Sequence, residues 1–263
     1  FAVGFGSNGN HNSDNTGLAA TIHLVDGTGV AGTYVLRLSG SDSQQSASDD
    51  VTVTVTEPSC LPAPAGSVAW WPGDGFARDL FGGPSAVPSG GLGYSEGMVG
   101  QAFVFDGVDD GITVPASPGL NVQSLTVDAW IRPADVRNAR PIVEWGNSNT
   151  FGPHFWIDVD PLASGPPIIG NLYANLIDVN GSSHLFGSGP GVITANVWSH
   201  VALTYDQTSG RAALYANGKL VATANLGTFT PRTAIPLNIG FRPFGGQRFL
   251  GGIDEVAITG RVL

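Results

Sequence analysis

Short runs in which apolar and polar residues alternate recur along this chain, and they constrain its fold more than any other feature. Successive side chains of a strand point to opposite faces, so each run predicts a half-buried β-strand. Two antiparallel sheets packed about 10 Å apart would accommodate many such strands. The segments that predict strands in the larger part of the chain are residues 67–71, 101–105, 111–114, 124–132, 141–145, 154–159, 171–178, 198–205, 211–216, 219–225, 235–240 and 249–258.

The composition points to the same fold class. The chain contains 38 Gly and 18 Pro, but only one Lys and four Glu against ten Arg and 17 Asp. Lys and Glu favour exposed helices, whereas Gly, Pro and Asp favour tight turns. We therefore predict an all-β protein with almost no helix, and we expect most of its six Trp to lie in the core.

The chain divides by pattern into three parts. Residues 1–57 hold two alternating runs, 33–39 and 51–56, which resemble the closing strands of bacterial immunoglobulin-like (PKD or cadherin-like) repeats. Such a sandwich normally needs about 100 residues, so this part is predicted to be an incomplete immunoglobulin-like β-domain. Residues 58–65 form a Pro-rich linker, and residues 66–263 form the larger domain.

An incomplete sandwich leaves an apolar face and a strand edge uncovered. Either the missing strands belong to sequence outside this chain, or a neighbouring copy supplies them by strand addition, as in a subunit of an extracellular filament. Both interpretations stay open. The start at Phe1, without an initiator Met, fits a processed product or a fragment.

Six short blocks within the larger domain carry a family resemblance. In their order and spacing they resemble the laminin-G-like (concanavalin A-like) jelly-roll modules of secreted proteins, which implies a jelly-roll β-sandwich. This architecture hosts lectins, adhesion modules and glycosidases, so the resemblance specifies fold more than function. The blocks are residues 69–75 (AWWPGDG), 100–110 (GQAFVFDGVDD), 125–131 (LTVDAWI), 198–206 (WSHVALTYD), 214–221 (LYANGKLV) and 251–256 (GGIDEV).

Charge and cysteine content narrow the possible partners. The net charge of −10 argues against a nucleic-acid partner, and no apolar run is long enough for membrane insertion. The single Cys60 lies in the linker and has no partner within the chain. The resemblance implies a second Cys soon after the last strand, beyond Leu263, so a lost disulfide partner and a free thiol both remain possible.

A structural calcium ion is the predicted cofactor. Calcium binds six to eight oxygens from carboxylates and backbone carbonyls, and the chain offers acidic turns at Asp74 and Asp106. The resemblance implies a site between the first strand, an early loop and the Asp of the last strand. Carried over, it comprises Asp74, Asp106, Gly107 and Asp254. The alternative is that these Asp residues cap turns by binding their own backbone.

A saccharide-binding surface is the second candidate site. Alternation over residues 154–160 places His154, Trp156, Asp158 and Asp160 on one face of a strand, with Phe155, Ile157 and Val159 on the other. An indole beside carboxylates suits sugar rings, which have apolar faces and hydroxyl groups. Trp145, Tyr173 and His184 could join this surface from neighbouring strands. The alternative is that Trp156 packs into the second sheet.

The sequence offers little support for catalysis. Glycosidases need two carboxylates about 5–10 Å apart, and the four Glu form no Glu-x-Asp-x-Glu arrangement. Asp158 and Asp160 are the nearest approach to one. We therefore predict a non-enzymatic module of a bacterial secreted or surface protein that binds a glycan or an extracellular protein. The alternatives are the filament subunit, which binds copies of itself, and a glycan hydrolase on the same scaffold.

Overall fold

A computed structural model describes residues 32–41, 46–55, 63–158 and 169–263. The chain forms two compact units, residues 1–62 and 63–263. Several predictions fall on residues outside the described ranges. They concern residues 1–31, the turn after Ser41, most of the linker with Cys60, and Val159 and Asp160.

The described residues of the first unit form one antiparallel pair of strands. Strand β1 (Gly32–Ser41) pairs with β2 (Ser46–Val55), and these strands contain most of the two predicted alternating runs. Arg37 and Asp50, which face each other in this register, form an exposed ion pair at 2.7 Å. A two-stranded ladder occurs in many folds, so the immunoglobulin-like assignment of this unit stays a prediction.

The second unit is built from short strands and one 3-10 turn, Pro118–Leu120, among its described residues. Its strands are β3 (Ser67–Trp71), β4 (Val87–Ser89), β5 (Gly93–Glu96), β6 (Gln101–Asp106), β7 (Gly111–Val114), β8 (Leu125–Pro133), β9 (Arg140–Gly146), β10 (Phe151–Asp158), β11 (Asn171–Asn175), β12 (Leu185–Gly187), β13 (Ser199–Asp206), β14 (Arg211–Ala216), β15 (Lys219–Asn225), β16 (Leu237–Ile239) and β17 (Leu250–Thr259).

These strands form two antiparallel sheets, as the alternation predicted. The seven-stranded sheet has the order β12-β11-β10-β9-β16-β7-β4. The eight-stranded sheet has the order β15-β14-β13-β8-β17-β6-β5, with β3 paired to β17. Many neighbours in these sheets are distant in sequence, which is the pattern of a jelly-roll sandwich rather than a simple meander. The prediction of an all-β jelly roll is confirmed.

The core contains side chains of alternate residues from both sheets. In β13, for example, Val201, Leu203 and Tyr205 are almost completely buried. The fully buried aromatic side chains include Trp71, Phe103 and Phe105. Burial of one such side chain stabilises the fold by about 1.5–3 kcal/mol, so this shared interior is what holds the two sheets together.

Local predictions succeeded where the pattern was strong. The Asn217-Gly218 hairpin has φ angles of 50° and 74°, as a type I′ turn requires. The strands β4, β5 and β12 were missed, because three or four mainly exposed residues give no usable periodicity. In the described ranges, no helix is long and apolar enough to cross a lipid bilayer.

The expectation that most Trp residues lie in the core was wrong. Trp71 and Trp145 belong to the hydrophobic core. Trp156 is buried outside that cluster, whereas Trp70, Trp130 and Trp198 remain partly exposed. Half of the indoles therefore keep a surface that a ligand could contact.

Candidate functional site

Strand β10 separates two kinds of side chain, as the sequence predicted. Phe155 and Ile157 belong to the core, whereas His154 and Trp156 lie on the opposite face of the seven-stranded sheet. We name this side of the sheet the aromatic face. It consists of Phe151, His154, Trp156, Tyr173, Arg242 and Phe244.

Arg242 links the rings of the aromatic face. Its guanidinium carbon lies 4.2 Å from the ring centre of Trp156 and 4.6 Å from that of Phe151. The ring centres of Phe151 and Phe244 are 6.4 Å apart, and Phe244 is 62% exposed. Phe244, on the loop between β16 and β17, therefore offers an exposed ring that packs on Phe151, the ring that Arg242 also contacts.

Beneath Arg242 lies a fully buried carboxylate, Glu144 of β9. The Arg242 Nε group donates to both carboxylate oxygens, at 3.0 and 3.1 Å. Burial raises the pKa of Glu144 to about 7, although the positive charge of Arg242 opposes the shift. Strand register explains the position of Glu144, since it lies between His154 of β10 and Asn238 of β16.

His154 is held as a neutral imidazole. Its Nδ1 atom lies 3.2 Å from the Gly152 carbonyl oxygen, to which it donates when that nitrogen carries the proton. Burial, together with the nearby positive charge of Arg242, lowers the pKa of His154 to about 3. At neutral pH this side chain contributes shape and hydrogen bonding to the aromatic face, but no charge.

The other predicted members of this surface are placed as follows. Tyr173 of β11 is paired with Trp156, and its ring centre is 5.9 Å from that of His154. Asp158 is paired through its backbone with Asn171 at the end of β10.

Trp145 and His184 do not join the aromatic face. Trp145 is 1% exposed and belongs to the hydrophobic core, because β9 alternates and Glu144 takes the outward position. His184 stacks on Phe229 with ring centres 3.7 Å apart, and its Nε2 lies 3.4 Å from an oxygen of Asp178.

Two of the predicted calcium ligands meet at the start of β6. The Oδ2 atom of Asp254 accepts the backbone N–H groups of Met98 and Val99, at 2.8 and 3.0 Å. Asp74 accepts the N–H of Gln101, at 2.8 Å, in the same turn. The Oδ1 atom of Asp254 is buried without a hydrogen-bond partner, so one carboxylate oxygen is free for a cation.

We name Asp74, Asp254 and Glu255 the acidic corner. Within the described residues, no basic side chain forms an ion pair with them. Burial raises the pKa of Asp254, and the Asp74 carboxylate raises it further, while the backbone N–H groups oppose the shift. Burial, together with the negative charges of Asp254, Asp74 and Asp128, raises the pKa of Glu255 to about 7. Carboxylates with raised pKa values favour a nearby cation, but within the described residues the three acidic side chains that lie within 4.8 Å of one another are Asp106, Asp109 and Asp110 instead.

The other two predicted ligands, Asp106 and Gly107, lie at the far end of β6. The register pairs Leu250 with Asp106 and Ile253 with Phe103, which places Asp254 about four residues, or roughly 13 Å, from Asp106 along the strands. Asp106 accepts the N–H groups of Val108 and Asp109, which matches the alternative interpretation of a turn cap. It also lies near the carboxylates of two other residues, Asp109 and Asp110.

Glu144 is not placed to act as the acid of a glycosidase. A glycosidase acid must reach the leaving oxygen of the substrate. Glu144 has no exposed surface, and both of its oxygens contact Arg242. Glu144 therefore holds Arg242 in place, and the exposed Phe244 ring is what a ligand could contact.

Comparison with known proteins identifies similar sequences and folds. The family model of the concanavalin A-like lectin/glucanases superfamily matches residues 106–263. A search of the curated proteins finds no significant match.

Several solved structures share the fold at low sequence identity. Domain 4 of AbnA, an extracellular GH43 arabinanase from Geobacillus stearothermophilus described in complex with arabinotriose, is 20% identical with a TM-score of 0.54, over 73% of this chain and 91% of that one. The binding domain of Paraclostridial Mosquitocidal Protein 1 is 16% identical with a TM-score of 0.60, over 75% of this chain and 49% of that one.

The receptor binding domain of a botulinum neurotoxin C/D mosaic serotype is 16% identical with a TM-score of 0.56, over 75% of this chain and 48% of that one. This chain thus spans about half the length of the two toxin domains. At these identities the likeness shows the fold alone.

Proposed function

Because the chain belongs to the concanavalin A-like lectin/glucanases superfamily, we propose that its larger unit is a non-enzymatic carbohydrate-binding module of a bacterial secreted or surface protein. Superfamily membership admits lectins and enzymes alike, so the choice between them depends on the site. The observation that carries the proposal is the exposed Phe244 ring beside Arg242, above a Glu144 that has no exposed surface.

The proposed mechanism is stacking assisted by hydrogen bonds. A sugar ring packs its apolar face on Phe244, and the Arg242 guanidinium donates to sugar hydroxyls from above Phe151. The ion pair with Glu144 and the contact with Trp156 hold Arg242 in one orientation. A preorganised donor loses less conformational entropy on binding than a mobile one.

In the same proposal a calcium ion has a structural role. Asp254 and Asp74 would hold it beside the turn at residues 97–100. The ion would supply positive charge to a corner that also contains Glu255. By joining the last strand to the loop before β6, this contact would fix the edge of the eight-stranded sheet.

Glycan binding by the complete chain is the direct test. The chain is applied to a glycan array, and hits are measured by calorimetry; arabino-oligosaccharides are included because domain 4 of the arabinanase was described with arabinotriose. We expect Phe244→Ala to raise the dissociation constant at least tenfold. Val87→Ala, which truncates an equally exposed strand residue elsewhere on the sheet, should leave it unchanged.

Two results would reject the proposal. Absence of binding to every glycan on the array would exclude the carbohydrate-binding function and favour a protein ligand. Release of reducing sugar from a bound polysaccharide, at a rate lost in Glu144→Gln, would establish an enzyme instead.

A further inference from the structure

On the outer face of the eight-stranded sheet, five residues of neighbouring strands are paired in a row. This face is separate from the aromatic face, which belongs to the seven-stranded sheet. The pairing runs across five neighbouring strands, from β3 through β17, β8 and β13 to β14. Paired residues of an antiparallel sheet lie on the same face. The row, in spatial order, is Trp70, Ala257, Asp128, Ala202 and Tyr215.

The alternation of large and small side chains shapes this row into a depression. Ala202 provides a low floor between Asp128 and Tyr215, which lie two strands apart, or about 10 Å. A shallow pocket of about 230 Å³ lies there. This volume is below the ~300–1,000 Å³ of pockets for drug-sized ligands, so it suits one small ring rather than an extended molecule.

Hydrogen-bonding groups surround this apolar floor. The Asp128 carboxylate lies 3.5 Å from the His200 imidazole, and both side chains are partly exposed. In the described ranges, the hydroxyl groups of Thr204 and Tyr215 form no hydrogen bond with another residue, although both residues line the pocket. Four polar side chains thus line a small apolar depression, and two of them, Asp128 and His200, also contact each other.

The rim of the pocket is held by the tight hairpin between β14 and β15. The Asn217 backbone N–H donates to the His200 carbonyl oxygen at 2.7 Å, and the His200 backbone N–H donates to the Asn217 side-chain oxygen at 2.9 Å. Gly218, which lines the pocket, has open space where a side chain would project. The hairpin therefore fixes the backbone of His200, and Gly218 leaves the adjoining side of the pocket open.

From this arrangement we propose that the pocket on the eight-stranded sheet is a second carbohydrate site, which binds one uncharged pyranose ring. The apolar face of the ring packs on Tyr215 and Ala202. Two neighbouring sugar hydroxyls donate to the Asp128 carboxylate, and the His200 imidazole and the Thr204 hydroxyl contact the others. Acidic sugars are excluded, because their carboxylate would lie close to Asp128 in a protein of net charge −10. This inference rests on the proposed function as a carbohydrate-binding module.

The test is a titration of the full, isotope-labelled chain with neutral methyl hexopyranosides (glucoside, galactoside and mannoside), followed by two-dimensional amide NMR. Methyl glucuronide serves as the acidic counterpart of the glucoside. We expect at least one neutral glycoside to shift the signals of Thr204 and Gly218 in a saturable way, and the glucuronide to leave them in place.

Two variants address the pocket independently. Tyr215→Ala removes the stacking ring, and the nearly isosteric Asp128→Asn removes the charge with little effect on packing. Each should raise the dissociation constant of the neutral glycoside at least tenfold, whereas Val87→Ala should not change it. Circular dichroism spectra that match the parent chain would show that the variants are folded.

The outcomes separate this inference from the proposed function. If sugars bind but only Phe244→Ala weakens them, the second site is rejected and the carbohydrate-binding function stands. If Tyr215→Ala and Asp128→Asn weaken binding, the second site is supported whatever Phe244→Ala does. If no sugar binds to the chain, both proposals fail.

Discussion

The Nε group of Arg242 lies 3.0 and 3.1 Å from the two oxygens of the Glu144 carboxylate, a side chain with no exposed surface. A buried ion pair of this kind adds little net stability, because desolvation offsets much of the attraction. Loss of one partner is costly, however, since the remaining charge is left without compensation. The main effect of the pair is therefore to position Arg242 over the rings of the aromatic face.

Removal of the arginine should destabilise the larger unit in a pH-dependent way. We expect Arg242→Ala to lower the free energy of unfolding by about 3–5 kcal/mol at pH 8, where Glu144 must ionise or hold a proton against its preference. At pH 5 the loss should be smaller, because a carboxyl group whose pKa is already raised to about 7 is neutral there. Urea unfolding at the two pH values measures the difference.

The matched control for this substitution is Arg137→Ala, which truncates an exposed arginine on the neighbouring loop and should leave stability within error. An equal loss for Arg242→Ala at both pH values would contradict the prediction. It would show that the lost contacts with Trp156 and Phe151 matter, rather than the charge of Glu144.

The fold could be predicted because its signal is repeated many times. Each strand such as β13 alternates on its own, and the Asn217-Gly218 turn fixes the register of its hairpin. The order of the strands across each sheet could not be predicted in this way. It depends on pairings between residues far apart in sequence, such as Trp71 with Val256, which no local period reveals.

The candidate site was predicted only in part, for two physical reasons. Alternation predicts that His154 and Trp156 share a face, and the same rule within β9 assigns Glu144 to the outer face and Trp145 to the core. Arg242 and Phe244 could not be found from the sequence. They lie on a loop without periodicity, and only the folded chain places them against β10.

Glu255 should make the stability of the protein fall as the pH rises. Its pKa is about 7 in the folded chain, and near 4.3 in an unfolded one. Between these values the folded state binds the additional proton. The stabilising contribution of the protonated group is therefore complete below about pH 4 and is lost as the pH increases through 7.

Thermal unfolding of the chelator-treated parent chain and of chelator-treated Glu255→Gln between pH 4 and pH 8 tests this prediction. We expect the melting temperature of the parent to decline more steeply over this range than that of the variant, since Gln cannot ionise and still accepts from the Trp70 indole. Parallel curves for the two proteins would show that Glu255 titrates normally.

Asp79 is a structural residue that the sequence did not reveal. Its carboxylate accepts the backbone N–H groups of Trp70, Phe81 and Gly83, at 2.8, 3.0 and 2.8 Å. We expect Asp79→Ala to cost about 3 kcal/mol or more, because hydrogen bonds to a charged group contribute about 1.5–3 kcal/mol each. Chemical denaturation measures the loss, and the exposed Asp109→Ala serves as control. A loss below 1 kcal/mol would mean that water replaces the carboxylate.

Calcium should stabilise the larger unit through Asp254. An ion bound only by the folded state adds about 2.7 kcal/mol when its free concentration is 100-fold above the dissociation constant, which corresponds to an increase of about 5–10 °C in melting temperature for a domain of this size. We expect this increase when calcium is added to chelator-treated protein. It should be reversed by excess chelator.

The substitution that isolates this effect is Asp254→Asn. The side-chain amide oxygen can still accept from Met98 and Val99, but the free carboxylate oxygen and the negative charge are gone. The calcium-dependent increase should disappear in this variant and persist in Asp106→Asn, because Asp106 lies at the opposite end of β6. If Asp106→Asn abolishes the increase instead, the ion binds the turn at residues 106–110, and Asp254 serves only as a hydrogen-bond acceptor for backbone N–H groups.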